Sequence, residues 1–303
     1  MARPRTGPIS TNRNCTRRSS HSVNASAALE NSRPPSRVIA VLKTRFITAF
    51  LLIPLILGSV YVGGLVFFAL GTFALLFAGA EFFKMARHAG YATMSTSGGV
   101  LIALLIWNAY DPTNDLRPVL AGAIVVTLIL GIFRHADGWL AGWALTLAGA
   151  LYIGGLGAYF FLVRHLPHGE LWTIFALVTA WATDTGAYLA GTRLGKRKFF
   201  PAISPKKTWE GAIGGWLAAP LTMLAFGAVF NLPLAHCAIL GLLIGIAATF
   251  GDLAESLLKR QTGVKDSSNI VPGHGGLLDR LDSLLFTAVV TYYYLVWVLR
   301  IGN

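Results

Sequence analysis

The sequence predicts an all-α polytopic membrane protein of about nine transmembrane helices. Three observations carry that class. The 303-residue chain is 54% hydrophobic and only 13% charged, where soluble domains carry about 25% charged residues. Uncharged runs of near-membrane length recur along it. Its basic residues gather in the short polar segments between those runs, mostly in segments that alternate counting assigns to one side.

Residues 1–41 hold seven arginines and one acid, Glu30, among Ser, Asn and Pro. They lack an apolar core, so they are no signal peptide. The composition predicts a disordered tail and also suits a transit peptide, which is Arg- and Ser-rich and acid-poor. Residues 42–303 are expected to form the integral membrane domain. From Arg45 to Glu81 there are 35 positions without a charge. As one helix they would be about 52 Å long against a hydrocarbon core of about 30 Å, so the run must fold back. Gly63-Gly64 is the expected turn between spans 46–62 and 65–80, and Pro54 is a site for a kink. Further spans are expected at 96–110, 119–133, 142–163, 171–190, 211–230, 234–250 and 283–299. No internal repeat is visible.

With the N-terminus inside, fifteen Lys and Arg between residues 43 and 280 fall on the cytoplasmic side, and only Arg117, Arg164 and Arg300 on the other. This predicts a cytoplasmic N-terminus, an outer C-terminus, and cytoplasmic placement of both large polar segments, 191–210 and 251–282. The net charge of +12 is then explained by positive loops beside membrane spans rather than by nucleic acid. The two cysteines, Cys15 and Cys237, support neither a disulfide framework nor a thiolate metal site. His21, His88, His135, His165, His168 and His236 have no partners at ligand spacing and read as loop or interface residues.

The first polar segment begins with Asp184, inside an otherwise apolar span. An acid there is costly and marks function, or else serves as a structural hydrogen-bonding partner. Lys196, Arg197 and Lys198 follow as membrane anchors or contacts for anionic lipid headgroups. Then comes Ser204-Pro205-Lys206-Lys207-Thr208-Trp209-Glu210-Gly211. Lys206 and Lys207 suit phosphate, or act as plain anchors; the spacing is not that of a P-loop.

The second segment, Ser256 to Asp282, packs Lys259, Arg260, Lys265, Asp266, His274, Asp279, Arg280 and Asp282 around Pro272, Gly273, Gly275 and Gly276. Lys and Arg donate to phosphate oxygens. Clustered aspartates suit a hard cation such as Mg²⁺ that is shared with substrate phosphates. Glycines let backbone approach a ligand. If 252–260 is helical, Asp252, Glu255, Ser256 and Lys259 share one face; Asp279 and Asp282 share another. Helix capping is the bland alternative for Asp252 and Asp282. His274 is read as a hydrogen-bond donor to phosphate rather than a general base, because a phosphate monoester is already largely dianionic at neutral pH.

This second segment resembles the signature of the phosphatidate cytidylyltransferases, the CDP-diacylglycerol synthases. Every fixed position is met: Ser256, Lys259, Arg260, Lys265, Asp266, Pro272, His274, Gly275, Gly276, Asp279, Arg280 and Asp282. Ser267 and Ser268 stand where the family often has an aromatic residue and Gly. The first segment is similar to two further family stretches, at Asp184 to Tyr188 and at Ile203 to Gly211. Val41 to Arg45 resembles the usual family N-terminus, so the native chain is expected to begin near Val41.

The resemblance implies transfer of CMP from CTP to phosphatidate in a polar cavity opening to the cytoplasm, in a bacterial inner membrane. It implies catalytic roles for Asp252, Lys259, Arg260, Lys265, Asp266, His274, Asp279 and Arg280. Substrate would meet Asp184, Ser204, Lys206, Lys207, Thr208, Glu210, Ser256, Gly275 and Gly276. Mg²⁺ would be held by Asp252 and Asp279 with Asp282 close by, with a second, monovalent ion known for some members. The resemblance extends to a homodimer, and the glycines of 149–157 permit close helix packing. Two other readings stand beside this one. One is a cation-coupled transporter, which would place its charges near the midplane and often show inverted repeats. The other is a related lipid nucleotidyl- or phosphotransferase using another nucleotide.

Overall fold

The computed structural model describes residues 50–111, 113–133, 137–268 and 275–302. The expectations for the 1–41 tail, the start near Val41, Arg134, Pro272 and His274 lie outside the described residues. Among those described, the chain forms nine helical rods. They are α1 (Phe50–Val62), α2 (Gly64–His88), α3 (Ser95–Tyr110), α4 (Leu116–Phe133), α5 (Trp139–His165), α6 (Gly169–Leu194), α7 (Trp209–Phe230), α8 (Leu234–Gln261) and α9 (Leu278–Val298). Six of them, α2, α4, α5, α7, α8 and α9, are long and apolar enough to cross a membrane. The apolar helices α1 and α3 are shorter. The 26-residue α6 has the length, but Asp184 and its threonines make it more polar than the six.

The turn falls where the sequence places it: Gly63 and Gly64 have φ of 67° and 52°, a region open to glycine without steric cost. The helix ends differ from the expected spans in one direction. α2 continues to His88 and α8 to Gln261, well past the last apolar residue of each span. Charge ends a membrane span but not a helix, because the backbone ladder continues freely in a polar environment. Two rods carry a π-helical turn, Leu151–Gly155 in α5 and Tyr294–Val298 in α9.

The segment expected as a plain loop between α6 and α7 contains an antiparallel hairpin, β1 (Lys198–Phe200) and β2 (Ser204–Thr208), with Lys198 opposite Thr208 and Phe200 opposite Ser204. Its strands are too short to announce themselves by alternation. Packing decides the matter: Phe199 is buried, with its ring edge-on to Trp209 at 4.4 Å and to Trp216 at 6.2 Å.

Small residues bring the rods together. A Cβ at Gly214 of α7 would lie 3.0 Å from Gly186 O of α6, and one at Gly241 of α8 would lie 2.6 Å from Pro220 Cα of α7. Such close backbone approach is how helices associate where lipid offers no hydrophobic drive. The glycines at 149, 154 and 157 are used in the same way, inside the chain. They face Phe82, Ile102 and Leu75 of α2 and α3, rather than lying open for a second copy.

Candidate active site

The site is built where α8 and α9 touch. A Cβ at Gly251 would lie 3.0 Å from Ser283 Cα, so the missing side chain lets Asp252 and Asp282 approach. Asp252 lies deep inside α8, which removes helix capping as its role; Asp279 and Asp282 lie in the first turns of α9. Along α8, Ser256 Oγ donates to Asp252 Oδ1 at 3.3 Å. Lys259 pairs with Glu255 one turn back and, across the interface, with Asp279 Oδ1 at 2.6 Å. The shared face expected from the spacing of Asp252, Glu255, Ser256 and Lys259 is thus present.

Asp279 is densely held. Its Oδ2 accepts from Ser267 N at 3.1 Å, Ser267 Oγ at 2.8 Å and Gly276 N at 2.8 Å. Gly275, at φ 79°, turns the chain so that the next amide reaches that oxygen. Lys259 and Asp279 keep 12% and 11% of their side-chain surface, and Glu255 keeps none. Buried charges of this kind persist only when paired and hydrogen-bonded.

A second group gathers beside it. Asp184 of α6, Asp252 of α8 and Asp282 of α9 stand close enough to feel one another's charge. Lys207 Nζ, from β2, reaches Asp252 Oδ2 at 2.8 Å. The two polar segments therefore meet at one place, and α6, the hairpin, α8 and α9 each contribute to it.

Other expected site residues have structural occupations. Thr208 Oγ1 accepts from Gly211 N at 3.2 Å and so caps α7. Glu210 accepts from the amides of Lys196, at 3.1 Å, and Arg197. Ser204 opens β2. Arg260 reaches across to Ile203 O at 3.2 Å and ties the hairpin turn to the end of α8. Lys206, Lys265, Asp266 and Arg280 are exposed. Gly276 is buried beside the carboxylate of Glu81, which a Cβ would approach to 2.7 Å.

Two residues of this region had no assigned role in the sequence reading. Glu255 is paired with Lys259 on the face already recognised. Glu81 was only the end of an uncharged run; its one signal was an acid followed directly by Phe82 and Phe83 at a membrane edge. In the fold it is 2% exposed and contacts residues on both sides of 269–274.

Among the described residues no group of three or more His, Cys, Asp or Glu stands at metal-ligating spacing. The donor chemistry nevertheless fits a hard divalent cation. Asp184, Asp252 and Asp282 are all oxygen donors, crowded as like charges, and Lys207 pairs with one of them.

The sequence pattern of the cytidylyltransferase family matches residues 43–298. The chain is 34% identical to a phosphatidate cytidylyltransferase of Synechocystis sp. over 291 residues, 86% of this chain and 98% of that one. It is 35% identical to the phosphatidate cytidylyltransferase of Pseudomonas aeruginosa over 273 residues, 85% of this chain and 97% of that one. To the Bacillus subtilis protein of that name it is 46% identical over 154 residues, 50% of this chain and 57% of that one. The match spans all nine rods and both polar segments that meet at Asp252, and this chain belongs to the cytidylyltransferase family.

Proposed function

We propose that the protein transfers CMP from CTP to phosphatidate, giving CDP-diacylglycerol and pyrophosphate. Within the structure, the observation that carries the reading is the Lys207–Asp252 pair, 2.8 Å long. It joins the two family-like segments and sets cations and carboxylates side by side, as a phosphate-handling site at a membrane requires.

In the proposed reaction an oxygen of the phosphatidate phosphate attacks the α-phosphorus of CTP in line. The new P–O bond forms as the bond to the β-phosphate oxygen breaks, and pyrophosphate leaves. The lipid phosphate is largely dianionic at neutral pH and needs no general base. Lys207, Lys206, Arg260, Lys265 and Arg280 orient phosphates and offset their charge. Lys259 holds Asp279 in place at 2.6 Å. By the resemblance Mg²⁺ would be held by Asp252, Asp279 and Asp282, with Asp184 and Asp266 as further candidates, and would neutralise charge on the phosphates; in the structure Asp252 and Asp282 lie with Asp184, while both oxygens of Asp279 are taken by Lys259, Ser267 and Gly276, and a second, monovalent ion belongs to the same proposal. His274 is proposed as a phosphate donor.

The reading places the protein in a bacterial inner membrane, N-terminus and site in the cytoplasm, C-terminus outside, with the polar cavity open to the nucleotide. Contacts between helix ends support the alternation this needs. The C-terminal ends of α1 and α5 meet through Arg164 Nε and Val60 O at 2.8 Å, on the side given few basic residues. The ends of α2, α8 and α9 that bear Glu81, Lys259 and Asp279 lie together at the other end. A homodimer is retained as part of the proposal on family resemblance.

The test is pyrophosphate release by purified protein in detergent with phosphatidate, Mg²⁺ and each of CTP, ATP, GTP and UTP. Lipid-dependent release with CTP alone supports the reading. Release with another nucleotide keeps the chemistry and changes the substrate. No release from folded protein moves weight to a transporter.

A further inference from the structure

Glu81 lies on α2, far in sequence from the signature, yet it is one of the most densely hydrogen-bonded carboxylates in the described structure. Its Oε2 accepts from Leu278 N at 2.7 Å and Ser267 Oγ at 3.1 Å. Its Oε1 accepts from Leu277 N at 3.1 Å and from Ser268 Oγ. A carboxyl group buried this deeply is costly unless its oxygens are hydrogen-bonded, and here both are.

Capping of α9 accounts for part of this, since a carboxylate at a helix N-terminus is favourable. It does not account for the serines. Ser267 Oγ lies 3.1 Å from Glu81 Oε2 and 2.8 Å from Asp279 Oδ2. A hydroxyl has one proton to donate, so the two carboxylates compete for it. The amides that Glu81 takes at Leu277 and Leu278 immediately precede Asp279. Glu81 therefore acts on Asp279 from two directions, through the first turn of α9 and through Ser267. Ser267 and Ser268 are also the two positions at which this chain departs from the usual family residues, and both hydroxyls point to Glu81. Gly276 belongs to the same arrangement, because a Cβ there would lie 2.7 Å and 2.9 Å from the Glu81 oxygens.

We propose that Glu81 is a positioning residue for the transfer reaction: acting through Ser267 and the start of α9, it sets the orientation of Asp279. It touches neither substrate nor the reacting atoms. The proposal rests on the cytidylyltransferase reading of the site.

The experiment measures kcat, KM for CTP and melting temperature for the full chain in detergent, as wild type, Glu81→Gln, Ser267→Ala and the double variant. Gln keeps the shape but replaces one acceptor oxygen with a donor. The expected result is a folded Glu81→Gln protein whose kcat is lower by about 10- to 100-fold, the scale of a small misplacement, with KM for CTP within about threefold. Ser267→Ala should lower kcat by less, and the double variant should lose less than the product of the two single losses, since the two side chains share part of one path. A folded Glu81→Gln with near-normal kcat overturns the proposal, as does full additivity of the two losses. Should Glu81→Gln fail to fold, Ser268→Ala decides, because that hydroxyl donates to Glu81: lowered kcat at unchanged melting temperature supports the proposal, and unchanged kcat overturns it. Wild type that releases no pyrophosphate with CTP instead overturns the reading on which the proposal rests.

Discussion

Lys207 Nζ and Asp252 Oδ2 stand 2.8 Å apart, joining a β-hairpin to the middle of α8. The neighbouring Lys206 is exposed, so adjacent lysines have separate surroundings. Lys207→Ala removes a cation from beside Asp184, Asp252 and Asp282 and should lower kcat by about 10- to 100-fold, where each tenfold is about 1.4 kcal/mol. Lys206→Ala should raise KM for CTP or phosphatidate while largely sparing kcat. Steady-state kinetics of the two variants check this, and identical effects would sink the distinction.

Lys259 pairs with both Glu255 and Asp279 in a buried setting. Lys259→Met leaves two buried carboxylates without their cation, a loss of about 3–5 kcal/mol in comparable cases. The expected result is a marked fall in melting temperature in detergent together with loss of turnover. A melting temperature within about 2 °C of wild type would show less than about 1 kcal/mol at stake.

Asp279→Asn keeps the shape but removes the charge that four donors converge on. Turnover should fall by more than about 100-fold while the protein stays folded, because the Glu255–Lys259 pair remains. Chelation should silence the wild type, and Mg²⁺ should restore it. Near-normal turnover by the variant would remove Asp279 from the proposed metal site.

Thr208→Ala removes the N-cap of α7 and should cost about 1 kcal/mol, a fall of about 2–4 °C in melting temperature. KM for CTP should be unchanged. A raised KM at constant stability would instead make Thr208 a substrate contact.

Nine helices among the described residues were legible, six of them long and apolar enough to cross a membrane, because lipid allows few solutions. A spanning segment must satisfy its own backbone, so uncharged length alone marks helices, and Gly63-Gly64 marks the one place where a run too long to span must turn. The site was legible as a set of residues. Span ends do not report helix ends: α8 continues to Gln261 and carries Asp252 and Lys259 on helix, the case in which their spacing puts them on one face. The hairpin at 198–208 was illegible for another reason. Its strands are too short for periodicity, and Phe199 is fixed by Trp209 and Trp216.

By itself the sequence determined the membrane class, the number of helices among the described residues, the two polar segments and the identity of their acids and bases, all of which follow from composition and spacing along one chain. Only the tertiary structure decided the partners. Asp279 belongs with Lys259, Ser267 and Gly276, whereas Asp252 belongs with Lys207 and keeps Asp184 and Asp282 near it. Glu81 reaches Leu278 across 197 positions. Local periodicity reports which face a residue occupies, but not which distant element that face meets. Helix packing makes that choice, through the close approaches that Gly251, Gly214 and Gly241 allow.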